Sequence, residues 1–407
     1  MNDATSQERR TAPAYPMTRV SPVDPPPGLA ELREGGAASR VTLWDGSQVW
    51  LVTSHAGVRA VLGDRRFTAV TSAPGFPMLT RTSPLVRANP QSASFIRMDD
   101  PDHARLRSML TRDFLARRAE ELRPAVRGVL DELLGKLVAG ERPADLVAGV
   151  TIPVPSRVIT LLFGAGDDRR EFIESRSAVL IDRGYTPGQV AVARDELDGY
   201  LRELVEERLA DPGTDLISRL VLDRVRPGEL TVEELVPMCR LLLVAGHGTT
   251  TSQASLSLLS LLTDPGLATA LTEDPGLLPQ AVEELLRFHS IVQNGLARAA
   301  VEDVLLGDVL IRAGEGVVLS LSAGNRDAGV FADPDRLDPH RDARRHLAFG
   351  HGMHQCLGQW LARVELEEIL AAVLRWLPGA RLAVPFEELD FRHEVSSYGL
   401  GALPVIW

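Results

Sequence analysis

Cysteine is scarce in this chain of 407 residues, which contains only Cys239 and Cys356. Two cysteines cannot form the several disulfides that staple small secreted proteins, so a disulfide scaffold is excluded and a reducing compartment is favoured. A continuous apolar run is also missing from the first 30 residues. Signal peptides and membrane anchors both require such a run, and we therefore expect a cytoplasmic protein with no membrane partner.

Positive charge is scarce as well. The chain carries 55 acidic and 44 basic residues, a formal net charge of −11, and lysine occurs only at Lys136. The phosphate backbone repels a protein with this balance, which argues against nucleic acid as a general partner.

Hydrophobic residues are plentiful, at 44% of the chain, and their spacing is mostly helical. Residues 231–262 form the longest helical stretch, and at 1.5 Å per residue they would span about 48 Å, enough to cross the whole molecule. The other helical stretches are residues 105–118, 124–138, 156–163, 168–180, 187–209 and 359–374.

Strand patterns cluster towards the two ends of the chain. The Asp45-Gly46 pair between two apolar runs predicts a β-hairpin, and residues 301–321 and 381–407 also favour strands. Residues 1–28 are rich in helix-blocking proline and are expected to form an extended N-terminal arm. The remainder, residues 29–407, is predicted to be a single mainly α domain with a smaller β-rich region. Within it, residues 70–95 look like a long loop, and loops of that length are usually functional.

Residues 349–358 read Phe-Gly-His-Gly-Met-His-Gln-Cys-Leu-Gly and stand directly before a helical pattern. Glycines allow a backbone to approach a flat ligand closely, and N–H groups at a helix start stabilise a thiolate. The segment therefore suits a thiolate presented to a bulky metal cofactor. The alternative is a buried structural cysteine beside a turn, which is the usual fate of a lone cysteine.

This segment resembles the haem-binding loop of cytochrome P450 enzymes, which runs Phe-Gly-x-Gly-x-His-x-Cys-x-Gly. Every fixed position of that pattern is filled, by Phe349, Gly350, Gly352, His354, Cys356 and Gly358. The resemblance implies the cytochrome P450 fold, with haem b between the long central helix and the helix after the loop. It also implies that Cys356 is the axial thiolate and metal ligand and that His354 pairs with a haem propionate.

A second segment, from Asp99 to Arg107, favours anion binding. His103 and Arg107 lie four residues apart on a predicted helix, so both face the same way and could hold carboxylates. The family resemblance makes those carboxylates the haem propionates and adds Arg298 as a third partner. The alternative for this segment is a solvated basic face.

Glu284 and Arg287 are spaced to pair on one face of a helix, a pattern that is also common on exposed helices. In the family, such a Glu and Arg join a later arginine in a buried triad that supports the wall behind the haem. The resemblance makes Arg341 the third member, with a structural role.

The middle of the long helix reads Val-Ala-Gly-His-Gly-Thr-Thr over residues 244–250. Two glycines in a buried helix are costly and suggest a packing or ligand reason, with Ala245 and Gly246 passing close over a flat cofactor. The resemblance implies that the Thr249 hydroxyl faces bound dioxygen. The family has an acid where this chain has Gly248. The candidates for proton delivery are ordered water beside Gly248, the Thr250 or Ser252 hydroxyl, or His247.

His247 has an alternative role in packing against a neighbouring helix. Residues one apart on a helix lie about 100° apart, so His247 should not simply replace an acid at residue 248.

The resemblance places the substrate wall in several segments, including the loop from Phe76 to Phe95 and the helices of residues 160–190. Its apolar and polar groups together suit a mid-sized, natural-product-like molecule. The candidate contact residues are Leu243, Val244, Ile291, Val292, Gln293, Asn294 and Tyr398.

The resemblance also implies electron supply from a ferredoxin and ferredoxin reductase. Arginines on segments that flank the thiolate side are expected to form a basic patch for that partner. They are Arg112, Arg117, Arg118, Arg344, Arg345 and Arg363.

The leading interpretation is a haem-thiolate monooxygenase that uses O2 and two electrons to oxidise a small-molecule substrate. One alternative is an oxidative coupling enzyme that forms C–C or C–N bonds between aromatic or indole substrates, because the missing acid at Gly248 suggests altered proton delivery. Another is a non-catalytic relative that supports a partner enzyme. The intact loop around Cys356 argues against this last alternative.

Overall fold

The structure, a computed structural model, describes residues 12–80, 94–182, 184–393 and 395–407. Its α-helices in chain order are α1 (Gly28–Glu34), α2 (His55–Gly63), α3 (Asp102–Thr111), α4 (Ala116–Ala139), α5 (Pro153–Phe163), α6 (Arg170–Ile181), α7 (Pro187–Ala210), α8 (Leu216–Leu220), α9 (Val232–Thr263), α10 (Pro265–Glu273), α11 (Leu278–His289), α12 (Leu321–Asn325) and α13 (Gln359–Trp376). Its strands are β1 (Ser39–Thr42), β2 (Gln48–Val52), β3 (Phe67–Thr68), β4 (Ala144–Asp145), β5 (Leu296–Ala300), β6 (Val304–Leu306), β7 (Val309–Ile311), β8 (Gly316–Leu319), β9 (Arg381–Leu382), β10 (Phe391–Arg392), β11 (Gly399–Leu400) and β12 (Pro404–Ile406).

The prediction of a mainly α fold with a smaller β-rich region is confirmed. The largest described sheet has the strand order β1-β2-β8-β5-β3, in which β2 and β8 run parallel and the other neighbours antiparallel. The predicted hairpin joins β1 to β2, and Gly46 takes the positive φ of 80° that its turn requires. The segment between α11 and β5 is short, so this sheet holds that segment beside the site described below.

The central helix α9 forms because its ends carry strong signals and its middle is apolar. The Thr231 hydroxyl accepts a hydrogen bond from the Glu234 amide, and the Glu234 carboxylate accepts one from the Thr231 amide, which is a capping box. Large apolar clusters lie on either side of the helix, one towards α4 and α13 and the other towards α7 and α8. The helix is therefore buried along most of its length.

Two elements differ from the sequence-based expectation. The single helix expected over residues 105–118 is divided, because α3 ends at Thr111 and Leu115 is extended (φ −68°, ψ 155°) before α4 begins. Part of the loop expected over residues 70–95 lies outside the described residues, at 81–93.

The described part of the N-terminal arm packs on the body of the protein. The Tyr15 amide donates to the Thr42 carbonyl at 2.9 Å, and the Thr42 amide donates to the Pro13 carbonyl at 2.8 Å. The arm thereby extends the edge of the main sheet at β1.

Among the described helices, none alone combines the length and apolarity needed to cross a membrane. The bent pair α9 and α10 meets both conditions only when the two are taken together.

Candidate active site

The loop that ends at Cys356 is folded tightly by its own backbone. The Cys356 amide donates to the Phe349 carbonyl at 2.9 Å, and Gly350 and Gly352 both have positive φ, at 71° and 73°. A Cβ atom at Gly352 would lie 2.4 Å from the Leu62 carbonyl oxygen at the end of α2. Glycine is required there by both conformation and space, and the loop is held against α2.

The Cys356 side chain keeps exposed surface, but the protein atoms around it desolvate the thiol, which raises its pKa. The Gly358 amide, which hydrogen-bonds the sulfur, and the positive charges of Arg107 and Arg363 lower that pKa. These groups stand where they stabilise a thiolate, as expected for a sulfur at the start of a helix.

Three cationic or potentially cationic side chains gather next to this loop. His103 on α3 and His354 lie with their ring centroids 4.2 Å apart, and Arg298 on β5 borders the same cavity of about 220 Å³ as His354. Both His103 ring nitrogens and Nε2 of His354 are buried without a hydrogen bond among the described residues, although His103 Nδ1 lies 3.4 Å from Asp100 Oδ1 in unsuitable geometry.

Arg298 is equally poor in partners within the described residues. Its side chain is 7% exposed, and the one hydrogen bond observed for it goes to the adjacent Ala297 carbonyl at 2.8 Å. Burial lowers the pKa of Arg298 to about 10, helped by the nearby charge of Arg97. Burial also lowers the pKa of His354 to about 3, and the charge of Arg298 adds to this. A bound anion would relieve both effects, because it would pair with these donors.

Arg97 was not singled out by sequence reasoning. It lies in a short helical turn, Phe95–Arg97, and its charge acts on both Arg298 and His354. A lone arginine in the apolar run from Phe95 to Met98 was the only local signal.

Arg107 takes a different position from the one expected. Its guanidinium donates to the Gln355 carbonyl at 2.6 Å, immediately before Cys356, instead of lying with Arg298. The long side chain of Arg107 finds its hydrogen-bond acceptor on the loop backbone. Arg107 therefore acts on the sulfur side of the site in this arrangement.

The middle of α9 keeps accessible surface around Ala245 and Thr249. Ala245 is exposed and Thr249 half-buried, whereas Leu243, His247 and Thr250 are buried. The Thr249 hydroxyl donates to the Ala245 carbonyl at 2.6 Å. At about 100° per residue, these two side chains share a face, and His247 lies about opposite them.

His247 accordingly contacts a neighbouring helix, where its ring is hydrogen-bonded to the Ile152 carbonyl before α5. Burial lowers the pKa of His247 to about 4, so its ring is neutral at pH 7. Thr250 is buried as well, on the side of α9 away from Ala245, and the Ser252 hydroxyl donates to the Ser397 carbonyl at 3.0 Å. The structure thus favours the packing role for His247, and His247 and Thr250 do not join Thr249.

The two glycines of α9 have different surroundings. A Cβ atom at Gly246 would meet Ile159 Cδ1 at 3.7 Å, which is an ordinary contact, whereas one at Gly248 would lie 2.4 Å from Ile181 Cδ1. The space beside Gly248, which was a candidate position for ordered water, is therefore taken by a methyl group of α6.

Glu284, Arg287 and Arg341 come together behind the loop. Arg287 donates to both Glu284 carboxylate oxygens, at 2.7 and 2.8 Å, and Arg341 donates to Glu284 Oε1 at 3.1 Å. Arg287 also donates to the carbonyls of Asn325 and Pro334, at 2.9 and 2.7 Å. Both members of the first pair are fully buried, so this network joins α11 to the segment that precedes the Cys356 loop.

The candidate substrate contacts need revision at three positions. Leu243 was expected in the substrate wall, but it is 1% exposed and packs in the core, because it lies on the face of α9 opposite Ala245. Tyr398 is 1% exposed, and its ring packs under Arg19, 4.0 Å from the guanidinium. The Gln293 amide donates to the carbonyls of His393 and Val395, at 3.0 and 2.9 Å, and supports that backbone.

Other candidates lie next to the same backbone. Ile291 accepts a hydrogen bond from the Tyr398 amide at 2.8 Å, and Val292 forms an isolated bridge with Ser397. Val244, Ile291 and Val292 are half-buried, and Asn294 is buried. The first three therefore keep a surface that a ligand could contact.

The arrangement fits the haem that the Cys356 loop implies. The exposed Cys356 sulfur has the Gly358 amide and two arginine charges near it, the middle of α9 exposes Ala245, and Arg298 and His354 line the 220 Å³ cavity. A Cβ atom at Gly358 would meet no described atom within 4 Å, so the loop presents open backbone beside the sulfur.

Comparisons with known proteins give the same result. The family model described as "Cytochrome P450" matches residues 186–377. Cytochrome P450-SU2 of Streptomyces griseolus is 47% identical, over 99% of this chain and 100% of the relative. Pentalenic acid synthase of Streptomyces avermitilis is 44% identical, over 97% of each chain.

A solved structure agrees in fold as well as in sequence. The mycinamicin VIII C21 methyl hydroxylase MycCI from Micromonospora griseorubida, bound to mycinamicin VIII, superposes with a TM-score of 0.91 at 39% identity, over 97% of this chain and 100% of that one. Full-length identity of this degree confirms the resemblance found in the Cys356 loop. The chain belongs to the cytochrome P450 family.

Proposed function

We propose that this chain is a haem-thiolate monooxygenase that inserts one oxygen atom of O2 into a mid-sized natural-product-like molecule. Members of its family are oxidoreductases that hold haem through a cysteine thiolate and act on small molecules with electrons from redox partners. The finer assignments are ours: haem b as the cofactor, a ferredoxin and ferredoxin reductase as electron donors, and a cytoplasmic location.

One arrangement supports the proposal: the Gly358 amide is hydrogen-bonded to the Cys356 sulfur, and the buried nitrogen donors of His103, His354 and Arg298 lie next to the same loop with few hydrogen-bond partners among the described residues. We assign Cys356 as the residue that would hold the haem iron through its thiolate, and His103, His354 and Arg298 as donors that would bind the carboxylates of the cofactor. When bound, the haem iron would supply dioxygen activation, chemistry that no side chain of this chain offers.

We assign the Ala245 and Thr249 face of α9 as the part of the central helix that would contact the bound cofactor. Thr249 is the hydroxyl on that face, and its hydrogen bond to the Ala245 carbonyl fixes its orientation. Because His247 and Thr250 face away and Ser252 is bonded to Ser397, the described residues of this part of α9 offer no acid relay beside Thr249. We propose that water reaching the half-exposed Thr249 hydroxyl delivers the protons.

We infer the substrate class in part from the names of the relatives. The names given above point to pentalenic acid as one relative's product and to methyl hydroxylation of mycinamicin VIII by another. We carry over only the class, an apolar natural product with some polar groups. The half-buried Val244, Ile291 and Val292 supply matching apolar surface.

Two measurements test the proposal. The ferrous–CO spectrum should show the long-wavelength Soret band of a thiolate ligand, and Cys356→Ser should move it to the position typical of a neutral ligand. A Soret band at the neutral-ligand position in the wild type would disprove the assignment. Turnover under labelled O2 should then add one labelled oxygen to the product, whereas a product that has lost two hydrogens would indicate oxidative coupling instead.

A further inference from the structure

Gly248 stands where the family resemblance implies an acid, and the space beside it is filled. It is buried on α9, and a Cβ atom built there would lie 2.4 Å from Ile181 Cδ1, with Cγ1 of the same side chain next at 3.8 Å. Real Cβ atoms do not approach other atoms so closely. One methyl group of Ile181 therefore occupies the space that any side chain at residue 248 would need.

Ile181 is held in this place by its backbone and its neighbour. It is the last residue of α6, and its carbonyl accepts a hydrogen bond from the Ser396 amide at 3.3 Å. The next residue, Asp182, pairs with Val395 in an isolated bridge, and its carboxylate accepts from Arg392 at 2.9 Å. We call residues 391–393 and 395–397 the roof segment, because they join the end of α6 to the body of the protein.

Residues next to the site also hold the roof segment in place. Gln293 donates to two of its carbonyls, those of His393 and Val395, and Val292 bridges to Ser397. Three connections thus fix the position of Ile181 relative to α9. They are the hydrogen bond of its own carbonyl, the ion pair of Asp182 and the hydrogen bonds of the Gln293 amide.

The contact lies at the edge of the face that we assign to the cofactor. At about 100° per residue, Gly248 is rotated by about 60° from Ala245 and about 100° from Thr249. Ile181 is half-buried, so part of its side chain remains accessible.

We propose that Ile181 and Gly248 form a specificity-determining pair. Because residue 248 is a glycine, the Ile181 methyl group can lie close to α9. It thereby narrows the site beside Thr249 and selects substrates whose reacting end is slender and apolar. The absence of an acid at residue 248 is, on this account, coupled to the position of α6. The inference rests on the proposed function for its meaning, while the packing contact itself can be tested separately.

The first experiment measures whether the two positions are coupled. Ile181→Val removes Cδ1 alone, the atom that blocks residue 248. Gly248→Ala should lower the midpoint of thermal unfolding in the wild-type background and should lower it much less, or raise it, in the Ile181→Val background. Gly199→Ala, at an exposed position on α7 with no atom within 4 Å of the added Cβ, is the matched control and should act alike in both backgrounds. If Gly248→Ala lowers the unfolding midpoint equally in both backgrounds, the two positions are not coupled and the proposed pair is wrong.

The second experiment measures selection by size on the holoprotein, with imidazole and 4-phenylimidazole as probes. Ile181→Ala should tighten 4-phenylimidazole about tenfold and leave imidazole unchanged, since pocket size acts only on the bulkier probe. An equal change for both probes, or none, would overturn the specificity role. If imidazole fails to bind the wild-type holoprotein at all, the proposed haem-thiolate function fails, and the unfolding cycle still decides the packing contact.

Discussion

At the scale of single residues, burial changes the protonation of several groups. Glu365 on α13 is 3% exposed, and desolvation raises the pKa of its carboxyl to about 8. Its usual value is near 4.5, so the folded state holds this proton more tightly than the unfolded state does. The stability linked to that proton is fully present below about pH 4.5 and is lost as the pH rises towards about 8.

We therefore expect Glu365→Gln to stabilise the protein at pH 8 but not at pH 4.5, because the amide has no proton to lose. The gain at pH 8 should be about 3 kcal/mol or less, since water and side-chain rearrangement reduce the full linkage. Urea unfolding at both pH values measures it. Glu206→Gln, at an exposed position on α7, is the control. A variant less stable than the wild type at pH 8 would contradict the prediction.

At the scale of elements, the Glu284–Arg287 pair joins α11 to the chain that leads into the Cys356 loop. Arg287 makes five hydrogen bonds, to Glu284 and to backbone carbonyls of Asn325, Pro334 and Arg336. A fully buried ion pair of this kind adds little by its charges alone, but removing one partner leaves the other buried and unpaired.

Arg287→Met should accordingly destabilise the protein by about 3–5 kcal/mol, and it should weaken cofactor retention because the loop loses its support. Urea unfolding and the fraction of protein carrying cofactor after purification measure the two effects. Arg336→Met is the matched control, because only its backbone carbonyl enters the network and its side chain is exposed. Equal losses from the two variants would show that the network does not act through Arg287.

At the scale of the whole molecule, the expected basic patch is largely neutralised by its own surroundings. Arg112 pairs with Asp223 at 2.7 Å, Arg344 with Asp342 at 2.8 Å, and Arg117 and Arg118 both pair with Glu121. Arg363 is bound to Glu283. Arg345 differs, since it is exposed and forms no ion pair within the described part of the chain, at the start of the loop that ends at Cys356.

Of these six arginines, we therefore expect Arg345 to contribute most to steering the proposed ferredoxin, an acidic redox partner. Arg345→Glu should slow reduction by the ferredoxin about three- to tenfold at low ionic strength, and the effect should fade as salt screens the charges. Arg112→Glu should slow it less, because Arg112 is already paired. Stopped-flow reduction across a salt series measures both, and a slowing that does not depend on salt would contradict electrostatic steering.

Much of the fold was predictable because helical periodicity is a local signal. The central helix was predicted over residues 231–262 and is observed at Val232–Thr263, and the Asp45-Gly46 hairpin is confirmed. The helix expected over 105–118 was wrong in its continuity, because an extended Leu115 separates two helices whose apolar residues keep the same period. Periodicity alone does not reveal such a break.

The sequence by itself determined the family and the cysteine loop, because a short motif places its residues next to one another whatever the rest of the chain does. Only the tertiary structure decided which groups meet across long separations. It turned His247 towards Ile152 and Tyr398 under Arg19, and it moved Arg107 onto the Gln355 carbonyl. It also brought Ile181 into the space beside Gly248. These outcomes depend on helix packing and on the rotation of each helix about its axis, which no local pattern encodes.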